Sequence, residues 1–416
     1  MLRKLAVVNI GQLVTLAGPG RARVGAAMRE LGLMHNAALL IADGRVVAAG
    51  SYGELRDRID AETEVMDAKG RLVTPGFVDA HTHLVFGGNR ARDFEKRIAG
   101  ATYQEIAAAG GGIHSTVELT RAATEDELLV QARRHRDWML RGGTTTLEAK
   151  SGYGLNRDAE LKMLRVIRRL ADEGPMRMVP TLLAAHTVPK EMADRRGDYV
   201  RWIAEELIPE VVALELAQYC DAFCDDHAFT VAETRVVLEA AKKHGLGLRI
   251  HAEQFRPGTG AALGAELGAA TVDHLEMVDD ATLAQMKAAG VQPVLLPASV
   301  FCLGREQYPP ARKMIEMGLP VVLATDFNPG SSPVPSMLFT MSLGAIEMKM
   351  LPSEALVAST INAAYSLGLG AEIGSLEAGK AADFVLHECE DYRELAYYVA
   401  APARPRVFIA GVEVTL

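Results

Sequence analysis

Two histidines one residue apart, His81 and His83, close the largely apolar run Leu72-Val73-Thr74-Pro75-Gly76-Phe77-Val78-Asp79-Ala80. Side chains alternate faces along a strand, so this pair points the same way, roughly 6.6 Å apart at about 3.3 Å per residue. Two imidazoles on one face can share one metal ion, at about 2.0–2.1 Å each for zinc. From this stretch alone, two satisfied polar residues at a strand end read equally well. Further ligand types follow apolar runs later in the chain: His251, His274 and Asp326. Singly, His251 reads as a core histidine and Asp326 as a helix cap before Asn328-Pro329-Gly330. Three histidines and one carboxylate gathered at one place make a divalent site that leaves room for water.

Stepping outward from these residues, the segments that carry them alternate between strand and helix. Strands are expected at Thr144–Ser151, Met176–His186, Gln218–Cys224, Leu246–His251, Ala270–His274, Val291–Leu296 and Pro320–Thr325, after the one that ends at His83. Helices are expected between them at Asp158–Leu170, Asp198–Leu207, Val231–His244, Gly260–Leu267, Asp280–Ala289 and Pro310–Met317. Thr124 with Glu127 makes a capping box for a further helix reaching Leu140. Eight strands with intervening helices argue for an α/β fold, a (β/α)8 TIM-type barrel whose chemistry sits at the C-terminal strand ends. The polar residues fall there: His81 and His83, Glu148 and Lys150, His186, Asp225-Asp226-His227, His251, His274 and Asp326. A helix looks present over Thr102–Ala109, and Gly110-Gly111-Gly112 reads either as a close backbone approach or as a loose loop. Residues 1–75 show short alternating runs with a hairpin signal at Asp43-Gly44. With the β-like residues 382–416 they are expected to form a smaller, discontinuous β-sandwich-like domain beside a barrel of residues 76–381.

A chain of 416 residues with net charge −9 and no basic block makes nucleic acid and anionic membranes poor partners. A small soluble substrate fits better. The four cysteines, Cys220, Cys224, Cys302 and Cys389, lack metal-ligand spacing and suit a reducing cytoplasm. No apolar run reaches the ~18–20 residues that span a bilayer, and no signal-peptide core opens the chain.

Pro75-Gly76-Phe77-Val78-Asp79-Ala80-His81-Thr82-His83, His251, His274, Asp326 and Gly374-Ser375-Leu376-Glu377-Ala378-Gly379-Lys380-Ala381-Ala382-Asp383 resemble the metal-dependent amidohydrolase superfamily. Phe86-Gly87-Gly88-Asn89-Arg90, Gly110 to Ile113, Lys150-Ser151-Gly152-Tyr153-Gly154, Ala185-His186 and Asp326-Phe327-Asn328-Pro329-Gly330-Ser331 more narrowly resemble its imidazolonepropionase family. That resemblance implies hydrolysis of 4-imidazolone-5-propanoate to N-formimidoyl-L-glutamate in histidine degradation. It implies one zinc or iron ion per chain on His81, His83, His251 and Asp326, and a homodimer. It also places Arg90 on the substrate carboxylate, with Tyr153, His186, Gln254, Asn328, Gly330 and Ser331 completing the pocket.

The physical reading beside it gives Asp326 the role of moving a proton to the departing ring nitrogen. His274 would orient the attacking hydroxide or stabilise the developing oxyanion. Two other readings compete. One is a deaminase of a heterocycle, but many such relatives carry His-x-x-Glu after the fifth strand. Here the segment is His251-Ala252-Glu253-Gln254, and glutamine cannot shuttle a proton. The other is a barrel without catalysis that serves as a scaffold, which an incomplete ligand set would have favoured. The fourth strand also ends without a lysine that could bridge two metals, so one ion is expected.

Overall fold

The N-terminal alternation folds into an antiparallel meander of β1 (Lys4–Val14), β2 (Leu33–Ala42) and β3 (Arg45–Ser51). The structure, a computed structural model, describes residues 4–102, 105–106, 109–225, 228–402 and 404–415. The β2–β3 turn has positive φ at Asp43 (49°) and Gly44 (75°), the geometry that matches strand twist in a two-residue hairpin. The first of the alternating runs join into the single strand β1. Its register shifts between Val7 and Ile10, where Asn9 adopts a φ of 54°. The stretch between β1 and β2 holds a short 3-10 turn, Gly25–Arg29.

β4 (Glu64–Asp67) and β5 (Leu72–Pro75) lie parallel to β1. The chain then enters the second sheet, eight parallel strands in sequence order: β6 (Phe77–Asp79), β7 (Thr144–Lys150), β8 (Arg177–Ala185), β9 (Tyr219–Cys224), β10 (Gly247–Ala252), β11 (Thr271–His274), β12 (Gln292–Leu295) and β13 (Val322–Leu323). Most of these strands are buried along their whole length, as expected where helices cover a parallel sheet. The helices expected between them are present.

β13 is much shorter than the expected Pro320–Thr325. Past Leu323 the backbone leaves the ladder: Thr325 donates its N–H and its hydroxyl to the Asp79 carboxylate, and Asp326 donates its N–H to the His81 carbonyl. These bonds, with a bridge between Thr82 and Phe327, join the last strand to the first. The seam of the barrel therefore runs through the histidine pair.

The chain ends return to the first sheet. β14 (Phe384–Leu386) pairs antiparallel with β5, and β15 (Arg406–Ile409) and β16 (Val412–Glu413) extend the edge. Phe384 and Phe408 stack at 4.3 Å in a core shared with Leu13, Leu39 and Val73.

Two helical segments depart from a single uninterrupted helix. The helix expected at Asp198–Leu207 runs from Arg196 to Ala213 and includes a π turn at Ile203–Leu207, just before Pro209, which has no N–H to give. The segment Pro352–Leu367 is two helices, Pro352–Ala358 and Ile361–Ser366, because the Ser359 carbonyl turns to accept from Val78 in β6. The helix expected over Thr102–Ala109 falls partly on residues outside those described.

Candidate metal centre and its cavity

Strand ends gather His81, His83, His251, His274 and Asp326 into one buried cluster, 2% exposed or less. Asp326 Oδ1 lies 3.5 Å from His81 Nε2 and 3.5 Å from His83 Nε2. Two ligands about 2.1 Å from one tetrahedral ion stand about 3.4 Å apart, so this spacing suits a shared cation. The ligand atoms of His81, His83 and Asp326 lie within 4.8 Å of one another, as do those of His81, His251 and His274.

The tautomers fit as well. His81 gives Nδ1 to Asp273 at 2.6 Å and His251 gives Nδ1 to Asp221 at 3.1 Å, which leaves both Nε2 atoms as lone pairs. Those two Nε2 atoms are buried without a hydrogen-bond partner. Burial holds His81 and His83 well below the usual imidazole pKa, so both rings are neutral and able to ligate. Residues, tautomers and spacing all fit a divalent ion.

Beneath the cluster, Lys150 ties these supports together. Its Nζ lies 2.7 Å from Asp221, 2.8 Å from Glu148 and 3.7 Å from Asp273. Burial alone would drive the ammonium pKa down, but Asp221, Glu148 and Asp273 outweigh it and hold it above the usual value. Arg249 packs its Nε 3.1 Å from Glu148 and is itself fully buried. A strand buried on both faces should read as apolar, so Asp221 within Tyr-Cys-Asp-Ala-Phe-Cys and Asp273 before His274 are the sequence signals of this support.

Every expected site residue except His81, which lies below the floor, lines one cavity of about 2120 Å³. Arg90 donates Nε to Thr116 at 2.7 Å, and its Nη1 lies so near Gly330 that a Cβ there would come within 2.2 Å. Position 330 must therefore be glycine while Arg90 keeps this pose. Asn328 shapes the same loop: its Oδ1 accepts from the Gly330 and Ser331 N–H groups at 2.8 Å each. The Ser331 hydroxyl lies 3.4 Å from Asp326 Oδ2.

Tyr153 and His186 sit side by side, ring centres 5.3 Å apart, and His186 stacks on His83 at 5.0 Å. Burial pushes His186 down to about 3, so it is neutral, and its Nδ1 is taken by the Gly152 carbonyl. The loop carrying Tyr153 is pinned by Glu160, whose carboxylate accepts from the N–H groups of Gly152, Gly154 and Leu155. Burial pushes the Asp326 carboxyl up to about 6, while His274 pulls the other way. Burial would lower His274, but Glu276 beside it, 3.3 Å from Nδ1, raises its pKa instead.

Not all strand-end residues join the site. Asp226 and His227 lie outside the described residues, and Lys150 works underneath. The glycine run makes a close approach, but to Asp93: Gly112 donates to its carboxylate, and a Cβ at Gly111 would meet that group at 2.5 Å.

Glu253 turns away from the cavity. A φ of 51° sends its carboxylate to the Ala261 N–H at 3.0 Å, at the start of the helix Gly260–Leu267, whereas Gln254 lines the cavity. Glu253→Gln is thus expected to keep kcat within about threefold, where loss of a proton-shuttling group costs about 10²–10⁴. Steady-state turnover of the variant checks this, and a drop of that size would restore the deaminase-like role.

The model of the amidohydrolase family matches residues 72–414. An imidazolonepropionase of Solibacter usitatus is 54% identical over 406 residues, covering 98% of this chain and 97% of the relative. One from Geobacillus thermodenitrificans is 46% identical, covering 95% and 94%. Among solved structures, E. coli guanine deaminase superposes with a TM-score of 0.71 over 100% of this chain and 99% of its own, at 16% identity, which speaks for the fold alone. By family model and full-length similarity, the chain belongs to the amidohydrolase family and, within it, to the imidazolonepropionases.

Proposed function

We propose that the chain hydrolyses the ring amide of 4-imidazolone-5-propanoate to N-formimidoyl-L-glutamate, using one zinc or iron ion held by His81, His83, His251 and Asp326. One observation carries the reading: the cavity floored by this buried His/Asp cluster also holds Arg90, in a chain similar over nearly its whole length to imidazolonepropionases. The bound ion supplies a water whose pKa falls from 15.7 to about 7.

The chain's own residues do the rest. Asp326, buried at the cavity floor 3.5 Å from His81 and His83, takes the proton of the attacking water and returns it to the departing ring nitrogen. His274, raised by Glu276, donates toward the carbonyl oxygen as negative charge develops there. These two are the catalytic residues of the proposal. Arg90, with Nε fixed by Thr116, presents its two Nη groups to the propionate as a fork. Tyr153 and neutral His186 flank the ring, and Gln254, Asn328, Gly330 and Ser331 close the pocket around it.

We take residues 76–381 as the catalytic barrel and residues 1–75 with 382–416 as its flanking domain, and we expect a cytoplasmic homodimer. Supporting the location, all four cysteines are free thiols, and no helix among the described residues is long and apolar enough to cross a membrane.

The test follows the ultraviolet absorbance of freshly made 4-imidazolone-5-propanoate and scores formimidoylglutamate. Turnover is expected to vanish on chelation and return with zinc or ferrous ion. Arg90→Met should raise KM about 10–100-fold, the value of a charge-assisted pair. Metal-replete protein that leaves the imidazolone intact would overturn the assignment.

A further inference from the structure

The cavity is larger than its proposed substrate requires. Sites for small ligands typically enclose about 300–1,000 Å³, against about 2120 Å³ here. The surplus lies outward of the buried cluster, among the helix Ala91–Ile98, the helix Glu125–Arg141 and the C-terminal end of the helix Pro297–Leu303 with Gly304 and Arg305, where Phe94 and Phe301 are more than half exposed.

Three arginines line this outer chamber, each set over an aromatic ring that also lines it. Arg97 lies 5.7 Å from the centre of Phe94, Arg134 4.7 Å from Trp138 and Arg305 4.9 Å from Phe255. A ring beneath a guanidinium fixes its plane while leaving the N–H edge free to donate. Among the described residues none of the three forms an ion pair with a carboxylate. Arg97 and Arg305 each donate one Nη2 to a main-chain carbonyl, of Cys302 and Phe255.

Three acids also line the chamber, each held away from the three arginines by another partner. Asp93 accepts from Gly112, Asp126 pairs with Arg169, and Glu127 closes the capping box with Thr124. Away from the cavity many arginines are paired, as in Arg133–Glu173, Arg157–Glu210 and Arg235–Glu266. The chain as a whole carries −9, which repels an anion. Three guanidiniums without a carboxylate partner therefore share the lining that leads to Arg90 with three acids, of which Asp126 is offset by Arg169, and the balance is a small positive excess.

We propose that Arg97, Arg134 and Arg305 form an anion-collecting vestibule that draws a small carboxylate to the mouth of the cavity and hands it inward to Arg90. The inference rests on the proposed substrate being an anion. An excess of one sign along a cleft raises local counter-ion concentration and encounter rate, by about 10–10³ where the whole lining shares that sign, and salt abolishes the gain.

Two measurements test it. The first is kcat/KM for 4-imidazolone-5-propanoate from about 10 mM to about 0.5 M sodium chloride, where the Debye length falls from about 30 Å to a few ångströms. The parent is expected to lose about tenfold. Arg134→Gln, which removes no main-chain bond, should lose part of that slope, and Arg134→Glu should flatten or invert it. The triple variant Arg97→Gln/Arg134→Gln/Arg305→Gln should start about tenfold lower and meet the parent at high salt with kcat held. Retention of the parent slope in Arg134→Glu and the triple variant sinks the vestibule, and so does a flat parent slope.

The second measurement needs no turnover. The chain has two tryptophans, and in a Trp202→Phe background only Trp138 reports. With each quencher scaled to its effect on free N-acetyltryptophanamide, iodide should quench it several-fold more strongly than caesium, and Arg134→Gln should bring the scaled values toward parity. Equal quenching in the parent overturns the proposal. Selective iodide quenching with no imidazolone turnover would instead keep the vestibule and discard the substrate reading.

Discussion

Replacing Asp326 with asparagine is expected to lower kcat by about 10³–10⁴, the largest loss that removal of one acid–base group gives. Asparagine keeps an oxygen where Oδ1 stands 3.5 Å from His81 and His83, but it cannot carry a proton. The carboxylate is placed for that task, buried at the cavity floor with the Ser331 hydroxyl 3.4 Å from its Oδ2. The backbone also commits to this residue: Asp326 holds a φ of 53°, and its carbonyl accepts from Asn328 Nδ2 at 2.7 Å. Turnover must be read beside metal content by atomic absorption, so that loss of the ion is not mistaken for loss of the proton carrier. A variant with a full complement of metal and kcat within tenfold of the parent would remove Asp326 from the mechanism.

Lys150→Met is expected to be the most destabilising single substitution in the barrel interior. It leaves Glu148, Asp221 and Asp273 buried together with Arg249 as their remaining cation. Breaking a buried ion pair by removing one partner costs about 3–5 kcal/mol, a large share of the roughly 5–15 kcal/mol that keeps a domain folded. The damage also reaches the ligands, because Asp221 and Asp273 set the tautomers of His251 and His81. Loss of such supporting partners weakens metal affinity about 10–100-fold. Urea unfolding of the metal-free protein and competition against a chelator read the two effects separately. A variant within about 1 kcal/mol of the parent and with unaltered affinity would mean the lysine only fills space.

The sequence made the buried cluster legible for a simple reason. A strand buried on both faces has few places for a polar side chain except its open end, so His81, His83, His251, His274 and Asp326 stood out after apolar runs. Their supports were hidden, because which carboxylate meets which imidazole depends on register between neighbouring strands. Asp273 lies opposite His251 in the ladder yet serves His81 from across the barrel. The direction of Glu253 depends on one backbone angle past a strand end, where alternation no longer applies. The eighth strand was over-extended because Asp79, some 246 positions earlier, captures Thr325 out of the ladder. Thr116 gave no signal, since a hydroxyl inside a helix is ordinary until Arg90 is seen to rest on it.

That capture bears on how the molecule assembles. His81 and His83 arrive with the first strand of the ring, and Asp326 arrives with the last, on opposite lips of one seam. On the proposed ligand set, a nascent chain can therefore grip an ion with all four groups only after the six intervening strands and the last have been laid down and the ring has closed. Such long-range closure is the slow step in a fold of high contact order. The free energy of ion capture then becomes ring-closing free energy, and in the ion-free chain hydrogen exchange at the Thr325, Asp326 and His83 amides marks where the hoop opens first.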